Sequence, residues 1–183
     1  GVWTGQFSEA YAHARADSNG ITVGEALESI GYRGETPARA FPVHACYELH
    51  IEQGPILEDE ALDIGLVRAA MGQRWFTLTL DGFAAHAGTT PMHSRRDALT
   101  AFAELALKVE EIGYRHAPDG RATIGMAKVT PNSRNVVPSR VECSVEFRHP
   151  AQAALEAMEA ALHKVAESLS LRGVSALVER IFD

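Results

Sequence analysis

Between Arg74 and Phe182 the side chains switch repeatedly between a strand period and a helix period, and the order of the switches leaves few folds open. Arg74-Trp75-Phe76-Thr77-Leu78-Thr79-Leu80-Asp81-Gly82 alternates like a strand buried on one face. Residues 91–113 then carry Ala98, Ala101, Phe102, Leu105 and Val109 on one helical stripe. Thr90 is a natural N-cap for that helix and Pro91 a natural first residue. Residues 121–130 and 138–148 read as two further strands, with the turn composition Pro131-Asn132-Ser133 between them. Residues 151–171 form a second helix, with Leu155, Met158, Ala161, Leu162 and Val165 inward. Gly173 closes it, and residues 174–182 are a last strand. The order β-α-β-β-α-β predicts an α+β, ferredoxin-like domain over residues 72–183, a four-stranded antiparallel sheet with two helices on one face.

Residues 1–71 have a different texture. Phe7, Ala10, Tyr11 and Ala14 predict an amphipathic helix over 7–17, stopped by Asn19-Gly20. Thr22-Val23-Gly24-Glu25 is a capping box that opens a helix over about 23–30. A loop with Pro37 and Pro42 follows. Residues 43–52 read as a strand broken by Gly54-Pro55, then a short hairpin ending near Val67-Arg68. These elements are too few for an independent core. The chain opens at Gly1-Val2-Trp3 with no initiator Met, which reads as a piece of a longer protein.

Composition excludes several classes. Hydrophobic residues are 46% of the 183 and charged residues 22%, which excludes disorder and collagen-like structure. No apolar run approaches the roughly 18 residues that a membrane span needs. The 17 Lys and Arg against 24 Asp and Glu give a net charge of −7, which argues against a nucleic-acid partner. Two cysteines, Cys46 and Cys143, are too few for a disulfide framework and read as buried thiols in a reducing, cytoplasmic setting. No signal peptide is visible.

Four segments could carry chemistry. In Glu48-Leu49-His50-Ile51-Glu52-Gln53-Gly54-Pro55, a regular strand puts Glu48, His50 and Glu52 on one face and Gln53 on the other. His50 is then either a metal ligand with an orienting acceptor or a half-buried His paired with a neighbouring Glu. In Ala85-His86-Ala87-Gly88-Thr89-Thr90-Pro91, His86 leaves a strand and arrives beside free helix amides, where an anion could settle. The alternative is a plain strand-to-helix turn with a solvated His. Asn135, in Asn132-Ser133-Arg134-Asn135-Val136-Val137-Pro138, is either structural or functional. Arg148, in Glu146-Phe147-Arg148-His149-Pro150, either holds a carboxylate bidentately or forms a surface ion pair. Arg95, Arg96 and Asp97 read as a solvated group on the helix, and His13, His44, His93, His116 and His163 as surface or packing residues. A zinc site needs at least three protein ligands, and only His50 has a fitting context.

Together these segments resemble the hydantoinase/carbamoylase family of amidases, which includes N-carbamoyl-L-amino acid amidohydrolases, allantoate amidohydrolases and β-ureidopropionases. Residues 48–58 match its most distinctive segment, and 86–98, Asn135-Val136-Val137-Pro138 and Arg148-His149-Pro150 match three more, so the resemblance covers the chain from about residue 5 to 183. Glu146 stands where the family has Asp, and Ser139 where Gly is common.

The resemblance implies a catalytic α/β domain of the zinc-aminopeptidase type, with an inserted lid that mediates homodimerisation. Residues 1–71 would be a slice of the former and 72–183 the lid. It implies hydrolysis of the linear C–N bond of an N-carbamoyl-L-amino acid or a related ureido acid, with allantoate as the alternative. It also implies two divalent metals, zinc or manganese, with cobalt or nickel as substitutes. His50 matches a metal ligand, Gln53 a substrate contact, and His86, Asn135 and Arg148 lid residues that bind the substrate or polarise its carbonyl. The isolated chain would then be a dimerisation and substrate-binding module without turnover. The ferredoxin-like order further predicts that His86 and Asn135 lie at one end of the sheet and Arg148 at the other.

Overall fold

In the computed structural model, which describes residues 1–183, the contacts divide the chain into two units, Gly1–Gly65 and Leu66–Asp183. The first unit holds three short helices, α1 (Glu9–His13), α2 (Val23–Ser29) and α3 (Ile56–Asp59). The Ser8 hydroxyl caps α1 by accepting from the Tyr11 amide at 3.0 Å. This helix is much shorter than the predicted 7–17. The chain turns away after it because the Asp17 carboxylate accepts the amides of Asn19 and Ile21, at 2.8 and 3.0 Å. The capping box of α2 forms as predicted. The Thr22 hydroxyl accepts from the Glu25 amide at 3.2 Å, and the Glu25 carboxylate accepts from the Thr22 amide at 2.8 Å.

Residues 43–52 are not a strand. A strand is held by a ladder to a neighbour, and this unit offers none. Tyr47, Leu49 and Ile51 are 92%, 101% and 74% exposed, so no buried face fixes them either. The predicted hairpin after them is instead α3, whose first amides, those of Ile56 and Leu57, donate to the Glu52 carboxylate at 3.0 Å each. Gly24 is the one buried residue of the unit.

The second unit is ordered β1 (Gly72–Asp81), β2 (Ala85–His86), α4 (Ala98–Arg115), β3 (Arg121–Thr130), β4 (Val136–Val137), β5 (Arg140–His149), α5 (Gln152–Ser168) and β6 (Ser175–Phe182). Single 3-10 turns precede α4 (Met92–Ser94) and follow α5 (Leu169–Arg172). Four strands form one sheet in the order β3-β5-β1-β6, every neighbour antiparallel. This is the ferredoxin-like arrangement expected from the sequence. Phe76, Leu78 and Leu80 from β1 and Val141, Cys143, Val145 and Phe147 from β5 are buried at alternate positions. They pack with Ala101, Leu105 and Val109 of α4 and Leu155, Met158 and Leu162 of α5.

Two details steer the chain toward the site. Leaving β1, Gly82 passes so close to the start of α4 that an added Cβ would lie 2.0 Å from the Arg96 carbonyl oxygen. Only glycine tolerates that approach. Helix α4 also begins later than predicted. Its cap is Asp97, whose carboxylate accepts from the Leu99 and Thr100 amides at 2.9 and 3.2 Å, while Thr90 and Pro91 lie outside it. No helix is long and apolar enough to cross a membrane.

Candidate functional site

Where β1, β3 and β5 meet at Asp81, Thr130 and Arg140, a second, two-stranded sheet is added. Its strands β2 and β4 pair antiparallel, with Ala85 opposite Val137 and His86 opposite Val136. The sequence did not reveal these strands, because two residues cannot display a period. The Ala87 amide extends the pairing by donating to the Asn135 carbonyl at 2.8 Å. The backbones that bear His86 and Asn135 are therefore locked side by side. Below them, the Arg140 guanidinium donates through Nε and Nη2 to both carboxylate oxygens of Asp81, at 2.7 and 3.0 Å, and holds that carboxyl below its usual range.

Local hydrogen bonds decide what each side chain can offer. The Gly88 amide donates to His86 Nδ1 at 3.1 Å. A neutral imidazole accepting there carries its proton on Nε2 and presents a donor. The Ser133 hydroxyl donates to Asn135 Oδ1 at 2.9 Å, leaving the Asn135 amide hydrogens as the group on offer. Both side chains are exposed. Their acceptor atoms are occupied within the loop and their donors are not, so each suits an oxygen that carries or develops negative charge.

The predicted anion position beside free helix amides does not form. His86 lies far along the chain from the start of α4, and Asp97 already takes the amides there. Arg95 is not solvated either: it is half-buried against the His86 turn. Its signal was hidden because both of its partners are backbone carbonyls, which leave no trace in side-chain sequence.

Arg148 stands at the other end of the sheet, with Gln73 on β1 and Arg121 on β3 opposite it. From Arg140 to Arg148 is eight residues of β5, roughly 26 Å at about 3.3 Å per residue. His86, Asn135 and Arg148 therefore do not converge within one chain. Arg148 is exposed, and its Nε and Nη2 both lie 2.6 Å from Oε1 of Glu146. That same oxygen accepts from Trp75 Nε1 at 3.0 Å. The ion pair leaves Arg148 Nη1 without a protein partner.

In the first unit His50 is exposed, and its Nδ1 lies 2.5 Å from the Ile51 carbonyl oxygen. With Nδ1 donating there, Nε2 is left as a lone-pair donor, the arrangement that second-sphere carbonyls impose on metal-binding histidines. Glu52 is engaged with α3 rather than with His50. Gln53 has φ 58°, a left-handed conformation uncommon outside glycine, just before the Gly54-Pro55 break. No group of three or more His, Cys, Asp or Glu side chains gathers anywhere in the chain.

Residues 68–174 match the peptidase dimerisation domain family. The N-carbamoyl-L-amino-acid amidohydrolase of Rhizobium meliloti is 38% identical over 182 residues, which is 99% of this chain and 44% of that protein. The allantoate amidohydrolase of Bacillus subtilis is 35% identical over 187 residues, 98% of this chain and 44% of that protein. A crystal structure of an amidase of the hydantoinase/carbamoylase family from Burkholderia multivorans superposes with a TM-score of 0.82 at 50% identity, covering 99% of this chain and 44% of that one. The chain thus spans less than half the length of these relatives. Matched across nearly its whole length by these proteins, it belongs to the hydantoinase/carbamoylase family of amidases, with a peptidase dimerisation domain at residues 68–174.

Proposed function

We propose that the whole protein hydrolyses the linear C–N bond of an N-carbamoyl-L-amino acid, with residues 72–183 as its lid and dimerisation domain and residues 1–71 as part of its catalytic domain. Exposed Tyr47, Leu49 and Ile51 support the latter, since a larger domain would bury them. The carrying observation is the donor-only pair His86 and Asn135 at one end of the sheet, with Arg148 at the other. Allantoate is the alternative substrate, because relatives bearing the two names match at similar identity.

His86 Nε2–H and the Asn135 amide would donate to the scissile carbonyl oxygen as charge develops on it. Removing one such donor typically costs about 100- to 1,000-fold in kcat. Arg148 would hold the substrate carboxylate through its free Nη1 edge, and Gln53 would be a substrate contact of the first unit. A pair of divalent metals, zinc or manganese, supplies an activated water and a Lewis acid when bound. His50 fits that group through Nε2 as one ligand. We place the enzyme in the cytoplasm, where both free cysteines stay reduced. Taken alone, the 183-residue chain would bind and dimerise without turnover.

With its polar residues at opposite ends of the sheet, the lid would serve two active sites of a homodimer. Arg148 would serve its own subunit, and His86 and Asn135 the partner's. Co-refolding equal amounts of inactive His86→Ala and Arg148→Ala full-length enzymes tests this. Half of the randomly formed dimers are mixed, and each then holds one intact site, so about a quarter of wild-type activity should return. No recovery would show that the residues act within one subunit.

A further inference from the structure

The turn that bears His86 is gripped by one guanidinium. Arg95 Nη2 donates to the Ala87 carbonyl at 2.6 Å, and Arg95 Nε donates to the Thr90 carbonyl at 3.1 Å. Arg95 is half-buried, yet it takes part in none of the ion pairs of the chain. A cation kept from water without a carboxylate is held by its carbonyl acceptors, and here both belong to the His86 turn. The Thr90 amide closes that turn by donating to the His86 carbonyl at 3.1 Å.

The Ala87 carbonyl and the Gly88 amide belong to one planar peptide unit, with oxygen and hydrogen on opposite sides. Arg95 takes the oxygen, and the hydrogen meets His86 Nδ1 at an N···N distance of 3.1 Å. We infer that Arg95 is the positioning residue of His86: by fixing this peptide plane it aims the Gly88 amide at Nδ1 and so keeps the imidazole proton on Nε2. Only a planar fork reaches two carbonyls with a fixed geometry, so lysine is a poor replacement. This inference rests on the role proposed above for His86 where it concerns turnover, and stands apart from it where it concerns the tautomer.

The test uses the full-length enzyme with Arg95→Met and Arg95→Lys, each alone and combined with His86→Ala. Arg95→Met should lower kcat by about 10- to 100-fold with KM within about twofold, as misplacement of a reacting group does. Arg95→Lys should fall between it and wild type. On the His86→Ala background neither should lower kcat further. In protein labelled with ¹⁵N-histidine, the His86 Nδ1 resonance should report an unprotonated nitrogen and move toward a tautomer average in Arg95→Met. An equal kcat loss on both backgrounds, or an unmoved His86 resonance, overturns the inference. Should His86→Ala itself leave kcat unchanged, the proposed catalytic role falls, and the resonance alone decides the positioning role. Melting temperatures of the variants separate these effects from partial unfolding.

Discussion

Glu146 gathers three donors on one carboxylate oxygen, from Arg148 Nε, Arg148 Nη2 and Trp75 Nε1. One edge of the guanidinium is thereby fixed and the other is left for a ligand. Charge-assisted hydrogen bonds are worth about 1.5–3 kcal/mol, so the orientation should be felt in binding. Glu146→Ala in the full-length enzyme should raise KM for a carbamoyl amino acid by about tenfold, equivalent to about 1.4 kcal/mol. Effects on kcat should be smaller, because His86 and Asn135 lie at the far end of the sheet. Trp75→Phe, which removes a single neutral donor, should shift KM less than Glu146→Ala. An unchanged KM in steady-state assays would remove Arg148 from substrate binding. Among single residues, sequence pointed to His86, Asn135 and Arg148 through their segments but missed what sets their state. The Gly88 amide, the Ser133 hydroxyl and Arg95 act through backbone groups or through a partner two residues away, and these carry no motif.

At the scale of elements, β5 is the central support, flanked by β3 and β1 and buried along one face. Cys143 lies on that face, fully buried, and burial raises its thiol from an ordinary 9.0 to about 11. Below about pH 8 the thiol is neutral whether the chain is folded or not. Between about 9 and 11 the unfolded chain releases a proton that the folded chain retains, so stability falls as pH rises. The loss approaches about 2–3 kcal/mol by pH 11. Urea unfolding at pH 7, 9 and 10.5 should show this decline, and Cys143→Ala should be flatter with pH despite its lower stability. A thiol reagent at neutral pH should modify exposed Cys46 in the native chain and Cys143 only after unfolding. A wild-type pH slope equal to that of Cys143→Ala would show that the thiol titrates normally. Strands such as β1 and β5 were legible because a one-sided core imposes a strict period of two. The stretch 43–52 looked equally strand-like but has no partner to pair with, and pairing is not local information. The start of α4 was misplaced because Thr90 and Asp97 are both competent caps, and it is the extended backbone at Arg95 that selects the second.

At the scale of the whole molecule, the open sheet has two edges, β3 and β6, and they differ in their fitness to pair. Strand β6 carries Glu179 and Arg180, and Arg180 is tied to Glu159 of α5 at 3.2 Å, which protects that edge with charge. Strand β3 offers an uncharged run from Ala122 to Ala127, with Met126 55% exposed. Beside it packs α4, whose Leu107 and Tyr114 are seven residues apart on one helix stripe and 69% and 73% exposed. A homodimer formed through β3 and α4 would add strand to strand and cover the apolar stripe. Leu107→Lys combined with Met126→Lys places charges at that seam without touching the buried core. In sedimentation equilibrium of the full-length enzyme the pair should shift the dimer toward monomer while melting stays cooperative. Activity should fall together with the dimer fraction, because each site would need His86 and Asn135 from the partner. A monomer with wild-type kcat would refute shared sites, and a dimer unmoved by both charges would place the contact on another surface.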